Sequence, residues 1–334
     1  MIPPVIFGTS ALGNLFTALS DEVKLEIVSE CFRHMPGTVV FDSAGKYGAG
    51  LALEMLGTCL KKLNIEPENV IISNKLGWYR TELLTPEPTF EPGVWRNLKH
   101  DARLNISYSG IMECFEQGNN LLGNVYSPQM LSVHDPDEYI HMGSTESERK
   151  KLANDIIEAY KALAELKKQG KAQAIGMGAK DWKIIRQLAP YIELDWVMFA
   201  NSMTIMQQPQ ELITFMHELK QRGVAIINSA VFHSGFLTGS DYFDYKLIDP
   251  DNKVDQQRLS WRKQFFALCE KHAVSPATAC INYAMKAPGV VAISLNTSKP
   301  GHVKANVESV NARVDPAFYK DMVKAGLLNA DLNY

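Results

Sequence analysis

The sequence has few cysteines and no apolar run long enough to cross a membrane. Its five cysteines are odd in number, widely spread and form no C-x-x-C pair or metal-ligand cluster, so they predict neither a disulfide framework nor a metal site. No stretch of about 18 consecutive apolar residues is present. The first residues, MIPPVIFGTSALGN, lack the charged and apolar regions of a secretory signal. We therefore expect a reduced, cytoplasmic protein with no membrane partner.

A strong excess of either charge is also lacking. The formal net charge at pH 7 is −3, which gives no global basic field. Nucleic acids and anionic membrane surfaces are bound through such a field, so neither is an expected partner. A small neutral or anionic ligand stays open.

Short apolar runs rich in Val and Ile alternate with longer amphipathic stretches along the 334 residues. This alternation is typical of β-α units around a parallel sheet that is buried on both faces. Seven runs are clear: 39–42, 70–75, 130–134, 172–178, 196–201, 224–229 and 290–296. Residues 5–8 are one candidate for an eighth run, and a poorly marked stretch merged with a neighbour is the other.

The stretches between the runs contain helix candidates at 21–35, 51–63, 146–169, 210–221 and 257–272. Gly170 and Gly223 follow two of them, as glycine commonly follows the end of a helix. No Pro/Gly/Ser-rich linker divides the chain, which favours one barrel over two domains. We predict an α/β fold, a (β/α)8 TIM barrel, in which residues 1–334 form a single domain.

Residues 78–105 break this rhythm with three prolines, four aromatic residues and no clean periodicity. The segment is too long for an ordinary connection. We interpret it as an insertion after the third barrel strand that covers the mouth of the active site, with a surface excursion as the alternative. A second irregular stretch, 232–255, is a candidate for the same mouth.

The last residue of most apolar runs is polar. In α/β barrels the reactive residues lie where the strands end, at the carboxyl face. Asp42, Lys75 and His134 end three neighbouring runs, and Tyr47 follows the first of them in VVFDSAGKYG. Taken singly, each could be a turn, loop or solvated residue. Their joint occurrence predicts a proton-transfer site.

The types of these residues fit proton transfer at a tyrosine. A free tyrosine ionises near pH 10, and a neighbouring ammonium such as that of Lys75 favours the phenolate and lowers the pKa. A buried ammonium needs a carboxylate partner, which Asp42 can supply from the neighbouring strand. His134 can donate a hydrogen bond to the substrate oxygen and hold it against Tyr47.

With these four residues, GTSALG near the start and SLNTSKPGHVKAN near the end, the sequence resembles the aldo-keto reductase family over essentially its whole length. The resemblance implies that Tyr47 is the general acid/base, that Lys75 and Asp42 tune it, and that His134 orients the carbonyl. It also implies a hydride transfer, which needs a nicotinamide cofactor because no side chain accepts a hydride.

A G-x-G-x-x-G fingerprint for that cofactor is absent, and GKYGAG at 45–50 has the wrong glycine order for a phosphate loop. The resemblance instead implies a dinucleotide extended across the barrel mouth. It assigns one group of residues to the nicotinamide: Gly8, Thr9, Asn201 and Ser229. It assigns a second group to the pyrophosphate: Phe232, Ser234, Gly235 and Leu237. An ordinary glycine-containing loop is the alternative for the second group.

The adenosine end is expected at 296–306, with Asn306 near adenine. Members of the family that prefer NADP carry Lys-Ser and then an Arg here, whereas this chain has Asn296, Thr297 and His302. A 2′-phosphate is bound best by a bidentate Arg, so the sequence favours NAD over NADP or predicts dual use. Lys299 and Lys304 keep NADP possible.

The stretch FANSMTIM and the long spacing from Lys75 to His134 resemble the branch of D-threo-aldose 1-dehydrogenases, L-fucose and L-galactose dehydrogenases and pyridoxal 4-dehydrogenases. This resemblance implies oxidation of an aldose hemiacetal at C1 to the lactone. Trp78, Tyr79 and Trp95 are candidates to stack on the sugar, or to form the core of the insertion. The alternatives are an NADPH-dependent aldehyde or ketone reductase and a dinucleotide-binding barrel without turnover. The sequence leaves the oligomeric state open.

Overall fold

A closed barrel of eight parallel strands forms the centre of the molecule. The computed structural model describes residues 2–244 and 246–329. The strands of the described part are β1 (Val5–Gly8), β2 (Val39–Ala44), β3 (Val70–Leu76), β4 (Trp78–Glu82), β5 (His100–Leu104), β6 (Met130–Val133), β7 (Ala174–Ala179), β8 (Trp196–Ala200), β9 (Ala225–Ser229), β10 (Tyr242–Phe243), β11 (Lys246–Leu247) and β12 (Val290–Leu295). The barrel runs in the order β1, β2, β3, β6, β7, β8, β9 and β12, and β12 pairs with β1. The predicted (β/α)8 barrel is confirmed, and residues 5–8 are its first strand.

Helices surround the barrel, as a parallel sheet requires when both of its faces are buried. They are α1 (Asp21–His34), α2 (Leu51–Lys62), α3 (Tyr108–Leu121), α4 (Pro136–His141), α5 (Glu146–Lys168), α6 (Trp182–Leu188), α7 (Gln210–Gln221), α8 (Lys253–Lys271), α9 (Pro276–Lys286), α10 (His302–Asn311) and α11 (Pro316–Lys324). The five predicted helices are confirmed as α1, α2, α5, α7 and α8. α8 begins earlier than predicted because the side chain of Asn252 caps the amides of Val254 and Asp255.

The interior of the barrel is filled by one apolar layer to which several strands contribute. Its buried members are Ile6, Val40, Met130, Trp196, Met198, Ile227 and Ala292. Trp196 is the largest, and a Cβ atom placed on Gly176 would lie 1.9 Å from its ring. Only glycine at position 176 leaves room for this indole. The side chains of this layer fill the interior, so the barrel contains a packed core and not a pore.

The insertion at 78–105 begins and ends in regular structure, which its lack of periodicity did not predict. β4 and β5 pair antiparallel, from Trp78 opposite Leu104 to Glu82 opposite His100. The hairpin is anchored to α3, because Gln117 bonds both the amide and the carbonyl of Arg80. The residues between its strands fold back toward the end of β2.

Candidate active site

Side-chain alternation places the predicted polar residues inside the barrel, above the apolar layer. Residues two apart along a strand share a face. Val40 belongs to the interior layer, so Asp42 on the same strand also points inward. The same spacing links Met130 to His134, which directly follows β6. The carboxyl ends of the strands therefore bring these residues to one mouth.

Lys75 is at the centre of the hydrogen bonds in this group. Its ammonium Nζ lies 2.5 Å from Asp42 Oδ2, 3.3 Å from the carbonyl of Ser43 and 3.2 Å from Tyr47 Oη. Asp42 Oδ1 accepts a further hydrogen bond from Ser73 at 3.1 Å. Asp42 and Lys75 are 4% and 6% exposed, so the ion pair is shielded from solvent and from salt.

The pKa of Tyr47 differs from the expectation drawn from Lys75 alone. Burial of the phenol raises the pKa of Tyr47 to about 12, although Lys75 opposes this shift. Burial removes more solvation energy from the phenolate than the attraction of Lys75 restores, because the charge of Lys75 is already paired with that of Asp42. Lys75 itself loses hydration on burial, yet Asp42 and Tyr47 raise its pKa above the usual range. The resting state is thus a neutral phenol beside a charged lysine.

His134 lies edge-on to the ring of Tyr47, with 5.4 Å between the ring centroids. Burial lowers the pKa of His134 to about 3, although the neighbouring Asp135 opposes the shift. The imidazole is therefore neutral at neutral pH. Its Nδ1 has no hydrogen-bond partner among the described residues, and its Nε2 lies 3.4 Å from Asp135 Oδ2. A carboxylate favours the Nε2–H tautomer, which can donate to a substrate oxygen.

The insertion covers this mouth. The ring of Trp95 packs against that of Tyr47 with 5.8 Å between the centroids, and Trp95 is only 5% exposed. Trp78, predicted to contact substrate, packs on Phe90 at 5.6 Å and under the ammonium of Lys46 at 5.3 Å. These contacts belong to the core of the insertion, and Trp95 is the indole that lies against Tyr47.

The residues assigned to the nicotinamide lie around the ends of three strands, β1, β8 and β9. Gly8 ends β1, and the hydroxyl groups of Thr9 and Ser229 donate to backbone carbonyls at 3.0 and 3.2 Å. Asn201 differs from them, because its Oδ1 is buried without a hydrogen-bond partner among the described residues. A cleft of about 410 Å³ opens beside Asn201, between the ends of β7 and β8. A primary amide would satisfy this oxygen.

The residues assigned to the pyrophosphate lie in the loop after β9. The backbone is left-handed at His233, Ser234 and Gly235, with φ of 48°, 58° and 86°. Successive amides in such turns can form a concave anion site. Leu237 is fully buried, and its amide donates to the carbonyl of Phe232. Leu237 is thus the buried member of this group, whereas Phe232, Ser234 and Gly235 are half-buried.

The third predicted group lies where β12 meets α10. Asn296 donates from Nδ2 to Ser10 Oγ at 2.8 Å, which connects this group to the loop after β1. His302 is the exposed first residue of α10. Asn306 lines a small cavity together with Thr9 and Gly8. The first and third groups therefore share one edge of the barrel mouth.

Sequence reasoning missed the charges around Lys46. This lysine is 4% exposed, and its Nζ lies 2.7 Å from Glu91, 3.0 Å from Asp135 and 3.2 Å from Glu138. A lysine that directly precedes Tyr47 is a weak signal, because its partners are 45 or more residues away in the sequence. Spatial proximity, not a motif, makes this cluster visible.

Known proteins resemble this chain in sequence and in fold. The model of the aldo/keto reductase family matches residues 4–326. The pyridoxal 4-dehydrogenase of Microbacterium luteolum is 26% identical over 96% of this chain and 93% of its own length. The D-threo-aldose 1-dehydrogenase of a Pseudomonas species is 25% identical over 98% of this chain and 95% of its own length. The glycerol dehydrogenase of Gluconobacter oxydans shares the fold, with a TM-score of 0.69, 16% identity and coverage of 99% and 94% of the two chains.

The described residues contain no helix that is long and apolar enough to span a membrane. The match of the family model extends over nearly the whole described chain and includes all four predicted polar residues. The chain therefore belongs to the aldo/keto reductase family of NAD(P)-dependent oxidoreductases.

Proposed function

We propose that the protein oxidises the cyclic hemiacetal of an aldose, of the L-fucose or D-threo type, at C1 to the lactone, with NAD as the preferred cofactor. The observation that carries this proposal is the contact of Tyr47 Oη with Lys75 Nζ at 3.2 Å, beside the neutral imidazole of His134. The relatives named as aldose and pyridoxal dehydrogenases, which match over nearly the full chain, support the choice of a hemiacetal.

In this proposal Tyr47 is the general base. Its phenolate, which the ammonium of Lys75 stabilises, accepts the proton of the anomeric hydroxyl as the C1–O bond becomes a carbonyl. Asp42 keeps Lys75 charged. The Nε2–H of His134 donates to the same substrate oxygen and holds it within reach of Tyr47.

The residues fit a nicotinamide cofactor, which supplies the acceptor for the C1 hydride when it is bound. Asn201 Oδ1 needs a donor, and the carboxamide of a nicotinamide carries one. Gly8, Thr9 and Ser229 would lie near its ring. Phe232, Ser234 and Gly235 would contact the pyrophosphate, and Asn306 the adenine.

Two other reactions use the same four residues. Pyridoxal forms a cyclic hemiacetal and is the substrate named for a relative with 26% identity. Reduction of an aldehyde or ketone with NADPH runs the proton transfer in reverse, with Tyr47 as the acid. A barrel that binds the dinucleotide without turnover is the non-enzymatic alternative.

The test measures NADH or NADPH formation with L-fucose, a panel of aldoses and pyridoxal, with NAD and NADP in parallel. We expect turnover with NAD and a threo-configured sugar. Tyr47→Phe should lower kcat by at least about a hundredfold and leave the Kd for the cofactor unchanged. Tyr108→Phe, at an exposed tyrosine of α3, is the matched control. No oxidation of any sugar, with NADPH-dependent reduction of aldehydes, would favour the reductase.

A further inference from the structure

A second carboxylate borders the site that Tyr47 and His134 define. Asp135 follows His134 directly and has a left-handed backbone, with φ of 45° and ψ of 56°. Residues with a side chain rarely adopt this conformation, and a following proline such as Pro136 restricts the backbone further. The carbonyl of Asp135 also accepts the amide of Tyr139 at 3.1 Å. The backbone thus fixes the direction in which the side chain of Asp135 leaves the chain.

The carboxylate is ionised. Burial alone would raise the pKa of Asp135, but His134, Lys46 and Lys180 together hold it well below the usual range. Two of these groups contact the same oxygen, Oδ2, which lies 3.0 Å from Lys46 Nζ and 3.4 Å from His134 Nε2. Lys46 is in turn held by Glu91 and Glu138, so its position is fixed from three sides.

The other oxygen of Asp135, Oδ1, accepts no hydrogen bond from the described residues, and the side chain is 18% exposed. Oδ1 is therefore available to accept a hydrogen bond from a ligand. Any substrate oxygen held by His134 Nε2 lies close to Asp135. Oxygens on adjacent carbon atoms are separated by about the length of a hydrogen bond. A hydroxyl on the neighbouring carbon can thus reach the carboxylate.

We propose that Asp135 accepts a hydrogen bond from a substrate hydroxyl on the carbon next to the reacting carbon. Asp135 then selects 2-hydroxy aldehydes and aldoses over aldehydes that lack this hydroxyl. The inference rests on the proposed function in one respect, the assignment of the reacting oxygen to Tyr47 and His134. An ionised acceptor strengthens such a bond, and an unfilled one would leave a charge without its partner.

The experiment compares the reduction of lactaldehyde and propanal, which differ by this one hydroxyl. We expect the wild-type protein to prefer lactaldehyde by about 10- to 100-fold in kcat/KM, the worth of a hydrogen bond to a charged group. Asp135→Asn keeps the shape and the backbone preference but removes the charge, and should lower this ratio several-fold. Asp135→Gly suits the left-handed backbone, removes the acceptor and should bring the ratio close to one.

Glu138→Gln is the matched control, since Glu138 also pairs with Lys46 but has no contact with His134. It should keep the wild-type ratio. Misplacement of His134 would reduce both rates equally, so the ratio isolates the hydroxyl contact. A wild-type ratio near one, or an unchanged ratio in Asp135→Gly, would overturn the inference. A lactaldehyde preference without oxidation of any aldose would overturn the proposed function and leave this contact standing.

Discussion

The carboxylate of Glu91 lies 2.7 Å from the ammonium of Lys46, the residue that directly precedes Tyr47. The other oxygen of Glu91 accepts the indole N–H of Trp95 at 2.6 Å. One side chain of the insertion therefore holds both the tryptophan that packs on Tyr47 and the segment that carries Tyr47. Glu91 therefore couples the position of the insertion to the position of the proposed general base.

Glu91→Gln should loosen the insertion. The substitution keeps an acceptor for Trp95 but removes the charge that pairs with Lys46, at a cost of about 1 kcal/mol. The amide of Phe16 donates to Val94, and that of Arg96 to Asn14, so both report on the contact between the insertion and the loop after β1. We expect hydrogen exchange at these two amides to become several-fold faster.

Glu87→Gln is the control for this measurement. Glu87 is an exposed carboxylate of the same insertion and forms no ion pair with a described residue. Its substitution should leave exchange at Phe16 and Arg96 unchanged. Equal acceleration in both variants would mean that the effect is not specific to the pair of Glu91 and Lys46, and no acceleration in either would mean that the insertion is held by its apolar contacts alone.

Lys75→Met should remove activity and destabilise the fold. It leaves Asp42 as a buried carboxylate without its ammonium, which typically costs about 3–5 kcal/mol. The double variant Lys75→Met/Asp42→Asn removes both charges and should recover much of this stability. It should not recover kcat, because Tyr47 still lacks its cation. Urea unfolding and kcat, measured on both variants, separate the two effects. Recovery of kcat in the double variant would exclude a role for the lysine charge.

The apolar runs predicted the barrel strands because a strand buried on both faces has a sequence pattern that is independent of its neighbours. The polar ends of these runs predicted Asp42, Lys75 and His134 for the same local reason. The five helix candidates did not include α3, α4, α6, α9, α10 or α11. Gly110 and Gly118 weaken the pattern of α3, and both are required by close contacts, with Asn105 and with Asn74.

Properties that depend on contacts between distant residues could not be predicted. The pKa of Tyr47 depends on how far burial outweighs Lys75, and one of the groups that bury it is Trp95, which is 48 residues away in the chain. The ion pairs of Lys46 connect three separate loops in the same way. A single sequence gives no signal for either.

The raised pKa of Tyr47 predicts an alkaline pH profile for oxidation. Since the phenolate is the base, and its pKa is about 12, the active fraction rises about tenfold per pH unit below that value. We expect log kcat/KM for oxidation to rise with a slope near one from about pH 7 to about pH 10. His134 adds no limb in this range, because its lowered pKa of about 3 keeps it neutral. A plateau near pH 8 would show that the cofactor-bound enzyme ionises Tyr47 much more easily.

The cofactor preference should respond to His302. It is the exposed first residue of α10, and the sequence resemblance predicts that it occupies the position of an arginine in members that prefer NADP. His302→Arg adds a guanidinium that can bind a 2′-phosphate through two hydrogen bonds, near the N-terminus of a helix that already favours an anion. We expect kcat/KM for NADP to rise about tenfold and that for NAD to change little.

Lys304→Arg, two residues further along α10, is the control. Lys304 is exposed and lies 3.7 Å from Glu308, so its replacement adds no charge and keeps its partner. Kinetics with both cofactors at low ionic strength give the comparison, and added salt should reduce the gain in His302→Arg because the contact is between exposed charges. If both arginine variants improve NADP equally, the gain comes from general charge and not from the position of residue 302. If neither does, the adenosine end of the dinucleotide lies away from α10, and the assignment of Asn306 to adenine fails with it.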